Sequence, residues 1–222
     1  MNPIAKRTIS ALTTAALVVL AIIYAPLTWL RPVFAVLIAL TFLEFCLLLR
    51  KKLGGLRLVL GALVGLAVLC LLGALPTIAA VCDSPDRSGN LMMLYVIAII
   101  KISDMGGFAF GVTSAKLMKG GNHKMCPTIS PNKSWEGLAG SVIASCVLSC
   151  CFIPITGFVW WKALAFGVTA ALVGTFGDLV ESKFKRWVGV KDSSTFMPAG
   201  MGGLLDMFDS LLIAPAVLLP FI

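Results

Sequence analysis

The run WKALAFGVTAALVGTFGDLV (residues 161–180) passes without a break into ESKFKR (residues 181–186). About 20 residues of apolar helix cross a hydrocarbon core, so the first part reads as a membrane span and the second as its polar end. The whole chain agrees with that reading. Its 222 residues are 59% hydrophobic and only 13% charged, with a mean hydropathy of +1.00. A soluble domain would carry roughly twice that charged fraction. Membrane β-strands would show as short alternating segments, and none are evident. The expected fold class is all-α, a polytopic helical membrane protein.

Seven spans are expected: residues 9–29, 32–49, 56–75, 91–112, 135–153, 161–180 and 206–221. The first is too long for a cleavable signal peptide, contains Pro26 and leads straight into the second. Residues 1–222 form one integral membrane domain. Within it, residues 1–100 read as scaffold helices, almost free of acids except Glu44, and residues 101–222 as the catalytic half.

The net charge of +8 is distributed by side. Lys6 and Arg7 precede the first span, and Arg50, Lys51, Lys52 and Arg57 follow the second. Lys116, Lys119, Lys124 and Lys133 follow the fourth, and Lys183, Lys185, Arg186 and Lys191 the sixth. The other side holds Arg31, Arg87 and Lys162, with Asp83 and Asp86 beside Arg87. Such positive-inside asymmetry puts the N-terminus in the cytoplasm. The basic excess is thus a topology signal with some attraction for anionic headgroups, and nucleic acid is excluded as a partner. The seven cysteines show no metal or disulfide spacing. Cys146, Cys150 and Cys151 read as packing residues within a span.

An ionisable group at membrane depth costs a few kcal/mol and normally faces a cavity or a partner. Four groups of them reach one face here. Asp104 lies in the fourth span, with Gly107 and Gly111 after it. Ser130-Pro-Asn-Lys-Ser-Trp-Glu136 opens the fifth, where Ser134 can cap the helix and Lys133 can meet a phosphate. Asp178, Glu181, Ser182 and Lys185 follow a helical stripe, which reads either as a site or as an ion-pair stripe at a snorkelling helix end. Asp206 and Asp209, with Ser210 alongside, follow Gly200, Gly202 and Gly203. Two carboxylates so close repel unless a cation bridges them, and hard oxygen ligands suit magnesium. Capping of a helix explains Asp206 alone. Trp135 also suits a bilayer interface, and Glu136 also suits a helix dipole. His123 reads as a loop residue, and Glu44 as a cavity residue or a partner of Lys101.

Ser182-x-Phe184-Lys185-Arg186, then Lys191-Asp192-x-Ser194, Pro198 and Gly202-Gly203-Leu-Leu-Asp206-x-Phe208-Asp209-Ser210 resembles the signature of phosphatidate cytidylyltransferases, the CDP-diacylglycerol synthases. Asp104 to Gly111, Ser130 to Gly137 and Gly177-Asp-Leu-x-Glu-Ser182 are similar to the family's other motifs, in the family's order. Two departures stand out. The family usually has Pro-Gly-His-Gly-Gly where this chain has Pro198-Ala-Gly-Met-Gly-Gly203, and arginine where it has Met207.

The resemblance implies CTP and phosphatidate as substrates, CDP-diacylglycerol and pyrophosphate as products, and magnesium as cofactor with room for a second cation. It implies catalytic roles for Asp178, Asp206, Asp209, Lys185, Arg186 and Lys191, with the three aspartates as metal ligands. Asp104, Ser130, Lys133, Ser134, Glu181, Ser182, Asp192, Gly202 and Gly203 would line the substrate site. The setting implied is a bilayer, the bacterial inner membrane, with the site facing the cytoplasm; a homodimer is left open. A CTP-dependent lipid-alcohol kinase, a weakened lipid- or nucleotide-binding paralogue and an ion-coupled transporter are the alternatives. The transporter would expect its acids near midplane, reached from both sides.

Overall fold

The computed structural model describes residues 19–85, 88–119, 121–190, 193 and 203–222. Most of the expected first span therefore lies outside the described residues. Its tail, residues 19–24, is helical and stops at Ala25 and Pro26. The next helix, α1 (Leu27–Arg50), starts five residues earlier than the sequence suggests and carries Pro32 inside it. Proline there removes one backbone hydrogen bond, a loss that spanning helices tolerate among close neighbours. Next, α2 (Gly55–Cys70), a 3₁₀ turn (Leu71–Gly73) and α3 (Ala74–Cys82) form one continuous rod.

Two 29-residue helices dominate the rest, α4 (Gly89–Leu117) and α7 (Trp160–Val188). Between them lie a hairpin of β1 (Lys124–Cys126) and β2 (Ser130–Ser134), then α5 (Trp135–Cys151) and the single turn α6 (Ile153–Thr156). Helix α7 runs eight residues beyond the expected end of its apolar part, so Glu181, Ser182, Lys185 and Arg186 belong to the same rod as Asp178. Leu27–Arg50, Gly55–Cys82, Gly89–Leu117 and Trp160–Val188 are long and apolar enough to cross a membrane; Trp135–Cys151 is apolar but shorter. The structure is a helical one, with four candidate spans among the described residues.

The expected span over 206–221 is not one helix. It divides into α8 (Leu204–Phe208), turns over 209–213, α9 (Ala214–Leu218) and a 3₁₀ turn (Leu219–Phe221). Pro215 and Pro220 each remove a helical donor, and the Asp209 carboxylate accepts the Ser210 N–H locally at 2.7 Å. Apolar composition alone does not make a helix continuous.

Close helix approach is written in small residues. A Cβ at Gly106 would stand 2.5 Å from the Ala144 Cβ and 2.7 Å from the Gly140 carbonyl oxygen. Helices α4 and α5 therefore cross with backbones nearly touching, the use of small residues at membrane helix interfaces. At the end away from the hairpin, Tyr95 stacks on Phe152 and Phe166 at 5.6 and 5.3 Å. Its hydroxyl shares a 2.7 Å hydrogen bond with Ser149 Oγ, which donates to the Ala163 carbonyl at 2.7 Å. That aromatic cluster is stacked and its hydroxyls are hydrogen-bonded. The charged residues gather towards the other end.

Candidate active site

Helix α7 supplies the spine. Asp178, Glu181 and Lys185 lie three and four residues apart, on one face. Against that face runs the segment from α8 to Ser210, antiparallel to α7: Asp206 meets Lys185, and the backbone of Asp209 and Ser210 meets Gly177. Gly177 has to be glycine for this approach, since a Cβ would come 2.8 Å from the Asp209 carbonyl oxygen.

The first cluster is built around Lys185. Its Nζ lies 2.8 Å from Glu181 Oε2 and 2.8 Å from Asp206 Oδ1. The Lys185 and Glu181 side chains are only 14% and 2% exposed. Asp206 Oδ2 accepts the backbone N–H groups of Ser193 at 3.1 Å and Gly203 at 2.9 Å. Both oxygens of Asp206 are thus engaged, one by an ammonium and one in a cap at the start of α8. Glu44 enters from α1, fully buried, and its Oε2 accepts the Leu205 N–H at 2.9 Å. It is not a partner of Lys101; it holds the same end of α8 that Asp206 caps.

The second cluster surrounds Asp178. Lys133, on β2, donates to Asp178 Oδ2 at 2.6 Å and to the Thr175 carbonyl at 3.3 Å. The ion-pair stripe weighed for α7 is therefore half present: Glu181 pairs with Lys185, whereas Asp178 pairs across to the hairpin. Beyond it, Ser210 Oγ donates to Asp104 Oδ2 at 2.9 Å and accepts from Lys101 Nζ at 2.9 Å. Lys101 also stands 3.7 Å from Asp104 and 3.8 Å from Asp209. The carboxylates of Asp104, Asp178 and Asp209 are close enough to repel one another. Asp104 lies about 20 Å along α4 from its last residue, at about 1.5 Å per residue, so the cluster is recessed among the helices.

Other expected site residues are placed as follows. Ser134 caps α5, accepting the Gly137 N–H at 3.1 Å, and is buried. Ser130 pairs with Cys126 in the hairpin, and Ser182 is half-buried on α7. Arg186 is exposed, turned off the face that Lys185 occupies. Lys191, Asp192 and Gly202 lie outside the described residues, as does the Pro198 to Met201 departure from the family pattern. Glu136 does more than complement a helix dipole. It accepts from His123 Nδ1 at 2.6 Å and from the His123 backbone N–H at 3.1 Å, tying the base of the hairpin that carries Lys133. Cys46, Cys70, Cys126, Cys146, Cys150 and Cys151 are free thiols.

Two residues escaped the sequence reading. Lys101 was visible only as one possible partner of Glu44, and Glu44 as a cavity residue or that partner. Their burial costs were legible; their hydrogen-bond partners, more than 100 residues away, were not.

Among the described residues, no group of three or more His, Cys, Asp or Glu forms a ready metal site. Asp206 is set apart from Asp178 and Asp209 by its own bonds. The donor chemistry nevertheless fits magnesium: hard carboxylate oxygens, with Asp178 Oδ1 buried and lacking any hydrogen-bond partner among the described residues. An oxygen of this kind has its lone pairs available to a cation or a water.

Comparison with known proteins follows the same residues. A profile of the cytidylyltransferase family matches residues 4–222. A phosphatidate cytidylyltransferase of Mycobacterium bovis is 41% identical over 131 residues, which is 58% of this chain and 40% of that protein. One from Staphylococcus aureus is 42% identical over 120 residues, 53% of this chain and 44% of that protein. The chain thus spans less than half the length of these curated relatives. The profile, however, covers every described element, including both clusters along α7, and the chain belongs to the cytidylyltransferase family.

Proposed function

We propose that this protein is a phosphatidate cytidylyltransferase, converting CTP and phosphatidate to CDP-diacylglycerol and pyrophosphate. The observation that carries the reading is the facing pair of segments, α7 and 204–210, whose Asp178, Glu181, Lys185, Asp206 and Asp209 meet Lys133 from β2 and Lys101 and Asp104 from α4. Recessed carboxylates in excess over ammonium groups suit an ion plus phosphates better than phosphates alone. Family membership and the names of the relatives point to the same chemistry.

In the proposed reaction an oxygen of the lipid phosphate attacks the α-phosphorus of CTP in line. The bond from that phosphorus to the β-phosphate oxygen breaks, and pyrophosphate leaves. The attacking oxygen is already anionic, so no general base is needed. What opposes the step is repulsion between phosphates. Lys133 is positioned to exchange its carboxylate contact for phosphate oxygens, Lys185 would hold Glu181 and Asp206 in place beside them, and Arg186 and Lys191 would add charge at the cluster's edge. Asp178 and Asp209, with Asp206 beside them, are the residues that would hold magnesium, with or without a second cation. Bound there, it would neutralise charge on the attacking and leaving oxygens. Asp104, Ser130, Ser134, Glu181, Ser182, Asp192, Gly202 and Gly203 would shape the substrate site.

We place the chain in a bilayer as one domain, with its N-terminus in the cytoplasm, and in a bacterial cell membrane. The positive-inside distribution supports that orientation, which opens the site to cytoplasmic CTP. The test uses purified protein with labelled CTP, magnesium and phosphatidate. Appearance of a labelled lipid together with pyrophosphate supports the reading. Absence of both, or transfer of the γ-phosphate instead, overturns it.

A further inference from the structure

Lys101 stands near the middle of α4, outside every sequence motif that the family resemblance uses. Its Nζ donates to Ser210 Oγ at 2.9 Å and to the Met207 carbonyl at 3.3 Å. Asp104 Oδ2 and Asp209 Oδ1 are 3.7 and 3.8 Å away, too far for good hydrogen bonds. An ammonium has three donors, and these two bonds leave one over. The contrast with its neighbours is clear. Lys133 and Lys185 hold carboxylates at 2.6 and 2.8 Å with side chains 23% and 14% exposed, whereas Lys101 is 40% exposed.

A half-open, loosely held ammonium beside repelling carboxylates is suited to an incoming anionic oxygen, because charge-assisted bonds are the strong ones. Position matters as well. Lys101 bonds the carbonyl of Met207, the residue that stands where the resembling family usually has arginine. A cation brought from α4 thus lies beside the place where the local sequence has none.

We propose that Lys101 is a substrate-binding residue whose ammonium meets a substrate phosphate oxygen, of the nucleotide or of the lipid, and supplies from α4 the positive charge that position 207 lacks. This rests on the cytidylyl-transfer reading above. The bland alternative is a counter-ion that only keeps Asp104 and Asp209 in place.

Steady-state kinetics of full-length protein in phosphatidate mixed micelles separate the two. The variants are K101Q, K101M, K101R and the double K101Q/M207R, each checked for folding by thermal unfolding in detergent. Loss of one hydrogen bond to a charged group should lower kcat/KM of K101Q and K101M by about 10- to 100-fold. A rise in KM for CTP assigns the contact to the nucleotide, and a rise in KM for phosphatidate assigns it to the lipid. K101R should stay within about threefold of wild type, and M207R should restore part of what K101Q loses. Reading two neutral variants keeps the result available if one of them fails to fold. The proposal is overturned if a folded neutral variant keeps both KM values while only thermal stability or active fraction falls. A wild type without turnover overturns the proposed function and this proposal together, an outcome distinct from an active wild type with indifferent variants.

Discussion

The two clusters along α7 differ in how closely their lysines hold the carboxylates around them. Around Lys185, one ammonium serves two carboxylates at 2.8 Å, and the Asp206 cap and the Glu44 bond fix the start of α8. Each cluster leaves one buried carboxylate oxygen without a hydrogen-bond partner among the described residues, Glu181 Oε1 and Asp178 Oδ1, but around Asp178 the ammonium of Lys101 stands back from two acids at 3.7 and 3.8 Å. The first arrangement is a latch and the second a site with slack. Catalysis needs groups that are held in place yet able to change partners, so the slack belongs where phosphates arrive and the latch where the scaffold must not move.

That contrast breaks most sharply at Asp178. D178N should lower turnover by about three orders of magnitude or more, several kcal/mol of barrier, with a smaller fall in Tm than K185M because asparagine still offers Lys133 an acceptor. Retained activity would put the reacting cluster elsewhere. K185M should do the opposite. It leaves two largely buried carboxylates without their cation, a loss of about 3–5 kcal/mol, read as a marked fall in Tm before any kinetic analysis. A K185M protein of normal Tm would dissolve the latch.

Smaller effects sharpen the boundary. In G177A, the new Cβ meets the Asp209 carbonyl oxygen at 2.8 Å, so the 204–210 segment must move away from α7. Overpacking of this kind costs about 1–3 kcal/mol, and turnover should fall by about tenfold or more. E44A removes the acceptor of the Leu205 N–H, with an expected cost of about 1–3 kcal/mol in stability; E44Q, which keeps an acceptor, should lose less. If E44Q and E44A unfold alike, the negative charge of Glu44 matters beyond the hydrogen bond. H123A comes last. The His123 side chain is 75% exposed, its tie to Glu136 is screened by solvent and adds little stability, and turnover should stay within about threefold.

Much of this molecule is legible without its structure, and unevenly so. Residues 161–186 gave both the apolar run and the polar face of α7, because helical periodicity is local. The cap formed by Ser134 was equally readable, three residues from the Gly137 N–H it accepts. The 206–221 stretch misled because hydropathy reports burial but not continuity; Pro215 and Pro220 were the available warning. Asp206 and Asp209, three residues apart, read as one pair. The structure assigns them to different lysines, since a short helix that ends at Phe208 gives them different surroundings.

By itself, then, the sequence determined a helical membrane protein of cytidylyltransferase type and the set of ionisable residues that must find partners. Hydropathy and motif spacing are properties of neighbouring residues, and they survive in one dimension. Only the tertiary structure decided which charge meets which. Lys133 reaches Asp178 across 45 residues, Lys101 reaches Ser210 across 109, and Glu44 reaches Leu205 across 161. No spacing rule spans such separations. The choice among partners is made by helix crossings close enough to need glycine, and by the cost of leaving any one charge alone in an apolar surrounding.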